Sequence, residues 1–245
     1  MSLDQRNTVR EFAIQIPNAT RVFEKLKIDY CCGGNKPLDE ACNEAGIEVE
    51  EVFRLLGDGE PIQATARVAD SKSLPLAELA DRIVENHHVF TRQELDRLTA
   101  LLEKVCSVHG ANHPELLAIQ SEFQTLRAEL EPHMLKEERI LFPYIKQLEV
   151  AATKGAPLPF APFGSVRNPI AAMMREHDAA GDILKSIRKL SSGFVVPDDG
   201  CFSYRTLYNA LETLEADLHQ HIHLENNILF PRAENMEKEA QVGTV

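Results

Sequence analysis

One eleven-residue pattern occurs twice in this chain: residues 133–143 read HMLKEERILFP and residues 221–231 read HIHLENNILFP. The copies stand 88 residues apart without a gap, so His133 aligns with His221, Glu137 with Glu225, and ILFP with itself. In each copy a histidine precedes a glutamate by four positions in a helical pattern, which turns both side chains to one face. The neighbouring apolar residues identify that face. A helix expected over roughly 114–149 carries Leu116, Ile119, Phe123, Leu126, Leu130, His133, Glu137, Ile140 and Tyr144 in alternating steps of three and four. Another, over roughly 203–238, carries Leu207, Leu211, Leu214, Leu218, His221, Glu225 and Ile228. Both His-Glu pairs therefore lie on seams that face a core. A carboxylate there is costly unless a positive charge compensates it, and no Arg or Lys shares either seam nearby. A metal ion supplies that compensation.

Two more helices are expected, over roughly 76–106 and 169–191. The first directs Leu76, Ala80, Ile83, His87 and Phe90 inward; the second directs Ile170, Met173, His177, Ala180 and Leu184 inward. Asn168 and Pro169 suit the cap and first turn of the latter. The successive intervals His87 to His133, His133 to His177 and His177 to His221 are 46, 44 and 44 residues. In an up-down-up-down bundle these spacings bring all four histidines to one depth. The expected fold class is thus all-α: a four-helix bundle over 75–245, a linker over 57–74, and a small helical domain over 1–56.

The expected metal ligands are His87, His133, Glu137, His177, His221 and Glu225, with both glutamates able to bridge two ions. Mixed imidazole and carboxylate donors suit Fe, Mn or Zn, and two bridging carboxylates favour a binuclear centre over an isolated tetrahedral Zn site. His88 sits one residue round from His87 and is expected at the surface or just behind the ligands, and His219 and His223 are expected at the surface. Glu138 is expected in solvent and Tyr144 in the core, with Asp178 and Glu215 as candidates for orienting an imidazole. His109, past the end of the first long helix, is open between an accessory ligand, a gate and a polar surface residue.

In the amino-terminal part, Thr8 and Asn18 are candidate helix caps, and further short helices are expected from Pro37 and Glu48. Such short pieces bury little alone, so the module must dock or dimerise. Between them lies Cys31-Cys32-Gly33-Gly34, a glycine-rich turn. It is a candidate thiol site, set against the plainer reading of small buried side chains. Five cysteines, an odd number thinly spread, do not make a disulfide framework. A net charge of -12 without a dense basic patch argues against nucleic acid as a partner. No apolar run reaches membrane-spanning length and the start lacks a secretory pattern, so cytoplasm is the expectation.

The motifs HMLKEERILFP, REHDAAG and HIHLENNILFP, together with IPNATRVFEKLKIDYCCGG, resemble the repair-of-iron-centres (RIC) family, the iron–sulfur cluster repair di-iron proteins whose bundle is hemerythrin-like. The resemblance covers almost the whole chain. It implies a non-haem di-iron centre, two Fe ions with an oxo or hydroxo bridge, on the same six residues. It also implies a functional pair at Cys31 and Cys32 and matches a further family histidine to His109. The partners implied are damaged or apo iron–sulfur proteins, with NO or O2 as small ligands, in resistance to nitrosative and oxidative stress. Iron donation and NO reduction both stay open, and only the second is enzymatic; a homodimer is open too. Gly181 stands where oxygen carriers have another histidine, which turns the expectation away from oxygen storage. The alternative function is reversible O2 or NO binding or sensing.

Overall fold

The computed structural model describes residues 3–16, 18–57 and 71–242. Among the described residues the regular structure is all helical, with one isolated bridge between Thr8 and Pro37 and no strand. No described helix is long and apolar enough to cross a membrane. The chain divides into two compact units: Asp81–Ile145 with Ala161–Leu218, and Met1–Ala80 with Lys146–Phe160 and His219–Val245. Most of the expected linker, residues 58–70, lies outside the described residues.

The first unit is the body of a four-helix bundle. Its helices are Val89–His109, Glu115–Lys136, Arg167–Leu190 and the Phe202–Leu224 helix as far as Leu218. Short connections make consecutive helices antiparallel. Their facing stripes close over one core, including Leu98, Leu102, Phe123, Leu126, Leu184, Leu207 and Leu214. The third helix begins at Arg167 rather than after Asn168, and Val166 at its cap offers no side-chain bond. Asn168 instead closes the preceding turn, its Nδ2 donating to the Phe163 carbonyl at 2.8 Å. Pro169 is tolerated because first-turn N–H groups have no helical acceptor.

Among the described residues, three π-helical turns interrupt the long helices, at Val84–His88, Glu137–Leu141 and Glu225–Leu229. In each, an N–H reaches back five residues: Val89 to Val84, Phe142 to Glu137, Phe230 to Glu225. The added residue advances every later side chain around the helix axis. Inward positions on the first long helix thus run from Ile83 to His88, a step of five, and continue through Thr91, Leu95 and Leu98. On the second, Ile140 is turned out to solvent, while Leu141 and Phe142 are buried.

In the other unit, helices Val9–Gln15, Ala19–Leu26, Leu38–Ala45 and Val49–Gly57 enclose Phe12, Phe23, Tyr30, Leu38, Cys42 and Val52. Thr8 forms a reciprocal cap. Its side chain accepts the Glu11 N–H at 3.2 Å, and Glu11 Oε2 accepts the Thr8 N–H at 2.7 Å. Asn18 makes no side-chain cap bond. This small core is completed by docking on the second copy of the repeated motif. Arg10 Nη2 donates to the Asn227 carbonyl at 2.9 Å, Asn227 Nδ2 to the Tyr30 carbonyl at 3.0 Å, and His219 Nδ1 to Glu24 Oε1 at 2.9 Å. Every residue from His221 to Phe230 is buried, polar ones included, and the cover reaches His223, Asn226 and Asn227 among them.

Candidate metal centre

In the bundle unit, the inward seams bring imidazole nitrogens onto one carboxylate. Glu137, fully buried, has its Oε2 3.3 Å from His133 Nε2 and 3.4 Å from His88 Nε2. His177 Nε2 lies 3.0 Å from His133 Nε2. One donor atom each from His133, Glu137 and His177 falls within 4.8 Å of the others. Such clustering of buried donors is the arrangement a cation resolves.

The far sides of the rings decide which nitrogen carries the proton. His88 Nδ1 donates to Glu138 Oε1 at 2.7 Å, and Arg92 Nη2 donates to the same oxygen at 2.8 Å. His133 Nδ1 donates to Glu176 Oε2 at 2.8 Å, with Lys136 Nζ bonded to the other oxygen of that carboxylate. Burial pushes both carboxyls up, but the bonds from His88 and Arg92 on Glu138, and from Lys136 and His133 on Glu176, outweigh it and hold each below the ordinary glutamate value. With Nδ1 donating to a carboxylate, each ring turns its Nε2 toward Glu137. Three electron-rich atoms facing one another at these distances fit a metal ion.

One sequence expectation changes here. His87 is not in the cluster; its Nδ1 lies 3.0 Å from Asp217 Oδ1, and His88 takes the inward place because the π turn advances the register by one residue. His109 is also elsewhere, with its Nε2 3.1 Å from Cys201 Sγ. At 1.5 Å per residue it lies about 30 Å along the helix from His88. The sequence reading also missed the orienting carboxylates. Glu138 and Glu176 fill that role, whereas Asp178 is exposed and Glu215 is bound by Arg188. A usable signal existed: both orienting residues sit beside a ligand position in sequence, where a neighbouring turn can reach an imidazole from behind.

The second motif copy lies in the other unit. His221 Nε2 is 3.0 Å from Glu225 Oε1, and both residues are buried. Contrary to the surface expectation, His223 is buried too, against the Tyr30 ring at 5.5 Å between centroids. Burial drives its pKa down to about 4, so it is neutral and its Nδ1 accepts from Asn227 Nδ2 at 2.9 Å.

Cys31 is buried and Cys32 half-buried, both free. Cys31 Sγ donates to Asp29 Oδ1 at 3.4 Å and faces Cys32 Sγ at 3.9 Å. The bond with Cys32 and burial push the Cys31 thiol up, which keeps it protonated near neutrality. Asp29 Oδ1 accepts the N–H groups of Cys32 and Gly33, both at 3.0 Å, and shapes the turn. Gly34 is required by close approach: a Cβ there would stand 2.8 Å from the Tyr30 carbonyl oxygen. Donor atoms of Asp29, Cys31 and Cys32 lie within 4.8 Å of one another.

A bundle with inward His and Glu donors defines a helical cation-binding protein, and comparison with known sequences agrees. Residues 79–233 match the hemerythrin HHE cation binding domain, and residues 5–59 match ScdA_N, a domain of unknown function. A probable iron-sulfur cluster repair protein of Haemophilus influenzae is 35% identical over 235 residues, covering 96% of this chain and 99% of that protein. The iron-sulfur cluster repair protein YtfE of Pectobacterium carotovorum is 37% identical over 225 residues, covering 91% and 94%. YtfE of Escherichia coli O157:H7 is 37% identical over 226 residues, with the same coverage. The chain belongs to this family of iron–sulfur cluster repair proteins with a hemerythrin-like domain. Family membership carries iron binding by histidine and glutamate side chains.

Proposed function

We propose that the chain is a non-haem di-iron protein that restores iron–sulfur clusters damaged by nitrosative or oxidative stress. The observation that carries this reading is the set of imidazole Nε2 atoms turned onto Glu137 while their Nδ1 atoms are fixed by carboxylates. The ligands we assign are His88, His133, Glu137, His177, His221 and Glu225. Support for a metal role of both motif copies comes from their repetition and from the hemerythrin match, which spans both. When bound, the iron pair supplies ferrous ions for donation and open positions for small ligands such as NO.

The protein's own residues set the terms of that chemistry. Glu138 and Glu176 hold two rings in the tautomer that presents Nε2. Arg92 and Lys136 keep those carboxylates ionised. Cys31 and Cys32 supply soft sulfur donors beside the harder Asp29 carboxylate, a mixed group suited to passing a metal onward. Its clients in this reading are damaged or apo iron–sulfur proteins. The relatives' names favour repair over a reversible O2 or NO carrier.

The test is anaerobic. An iron–sulfur hydratase is inactivated with NO, freed of excess reagent, and incubated with the iron-loaded chain. Recovery of hydratase activity that follows loss of iron from the chain supports donation. Nitrous oxide released from added NO supports reduction. Neither recovery nor gas, from protein shown to be iron-loaded, rejects the reading.

A further inference from the structure

A second chemical group lies in the bundle unit well away from Glu137. Cys201 Sγ stands 3.1 Å from His109 Nε2, and Cys201 is exposed. His109 is the last residue of the Val89–His109 helix, while Cys201 immediately precedes the Phe202–Leu224 helix. A helix C-terminus favours a cation and a helix N-terminus favours an anion. The contact therefore joins the two helix ends that stabilise opposite charges, imidazolium on one side and thiolate on the other. Ring packing keeps the imidazole in place: the His109 centroid is 5.4 Å from Tyr204, edge to face, and 6.3 Å from His113.

We propose that Cys201 and His109 form a thiolate–imidazolium pair that reacts with low-molecular-weight disulfides, making Cys201 a site of reversible S-thiolation. In the exchange, the Cys201 sulfur attacks one sulfur of the disulfide. The new S–S bond forms as the old one breaks, and the leaving thiolate takes the proton from His109 Nε2. Two electrons shift between sulfurs with no net redox change, and an external thiol reverses the step. A disulfide suits the place because Cys201 is exposed and the flanking Phe202 side chain is largely exposed as well.

The surrounding charges agree. Backbone N–H groups at the helix start, Tyr204 first, and then the His109 bond bring the Cys201 thiol down to about 7. Facing groups of both signs are His109, His113, Asp199 and Glu115; His113 Nε2 is bonded to Asp199 Oδ1 at 3.0 Å and His113 Nδ1 to Glu115 Oε1 at 2.9 Å. A thiol that titrates near ambient pH is the most effective attacker in such exchange.

The experiment uses the full, iron-loaded chain under anaerobic conditions. Glutathione disulfide and the uncharged 2-hydroxyethyl disulfide serve as separate probes, with peptide mass spectrometry reporting each cysteine. Both probes should modify Cys201 at pH 7, about five- to tenfold faster than an ordinary accessible thiol. His109→Asn should slow the reaction at least about threefold and move the midpoint of its pH–rate profile upward, with iron content unchanged. Iodoacetamide alkylation should show the same shift in midpoint. An inert Cys201, or a His109→Asn variant with unaltered rate and midpoint, overturns the proposal. Failure of cluster repair leaves these readouts untouched, so the two readings are tested apart.

Discussion

His88 is gripped from both sides by adjacent glutamates: Nδ1 donates to Glu138 Oε1 at 2.7 Å, and Nε2 faces Glu137 Oε2 at 3.4 Å. The two carboxylates begin one π turn, Glu137–Leu141, and His88 ends another, Val84–His88. The wider turns thus present one face of an imidazole to a buried donor and the other to a carboxylate anchored by Arg92.

That relationship separates two neighbouring histidines. His88→Ala should remove one ring from the cluster and lower bound iron to roughly half or less of wild type, since a lost imidazole weakens its ion more than the tenfold typical of an outer partner. His87→Ala should leave iron content near wild type, because this ring binds Asp217 instead. Iron per chain, measured by a chelator assay on proteins with matching helical circular dichroism, distinguishes them. Loss of iron from His87→Ala with retention in His88→Ala would reverse the assignment.

The orienting carboxylates give a graded effect. Glu176→Gln keeps the size but removes the charge that accepts from His133 Nδ1 and pairs with Lys136. Iron affinity should fall about 10- to 100-fold, as for other partners that fix a ligand's tautomer. Glu138→Gln should act similarly through His88. Competition against a chelator of known affinity measures both. Unchanged affinity in both variants would show that the tautomers are set by something else.

Much of this was readable from residue order. The duplicated His-x-x-x-Glu spacing, with leucines at helical intervals before it, determines which helices carry donors and which faces they use. What periodicity cannot register is an inserted residue. A steady run of threes and fours selected His87 and Ile140, while the π turns moved the inward places to His88 and Leu141. Burial of His223 was hidden for another reason. Its cover is Tyr30, nearly two hundred residues earlier, so no local pattern announces it. Cys201 and His109 are likewise separated by 92 positions and meet only because antiparallel helices end side by side.

Docking of the Cys-Cys module should depend strongly on one amide. Asn227 Nδ2 donates to the Tyr30 carbonyl and to His223 Nδ1, both buried. Asn227→Leu removes both donors and leaves two acceptors unsatisfied, at roughly 1–3 kcal/mol each before relaxation. The expected outcome is faster amide exchange in residues 28–34 and a lower thermal midpoint. Hydrogen-exchange mass spectrometry provides the measurement; protection in that segment equal to wild type would mean that apolar contacts alone hold the module.

A pH effect is expected at His113. Bonds to Asp199 first and then Glu115 raise the pKa of His113 above its ordinary 6.5. A raised folded-state value means that protonation favours the folded form. Its stabilising share is fully present below pH 6.5 and is lost as pH rises through the higher folded value. Asp199→Asn removes the larger cause, so the His113 ring signals in NMR should titrate at a midpoint closer to 6.5 than in wild type. Any difference in thermal midpoint between the two proteins should also shrink as pH rises through the wild-type midpoint. Asp199 is solvent-exposed, so salt should weaken the effect. A His113 midpoint at or below 6.5 in the unmodified chain would remove the basis for this coupling.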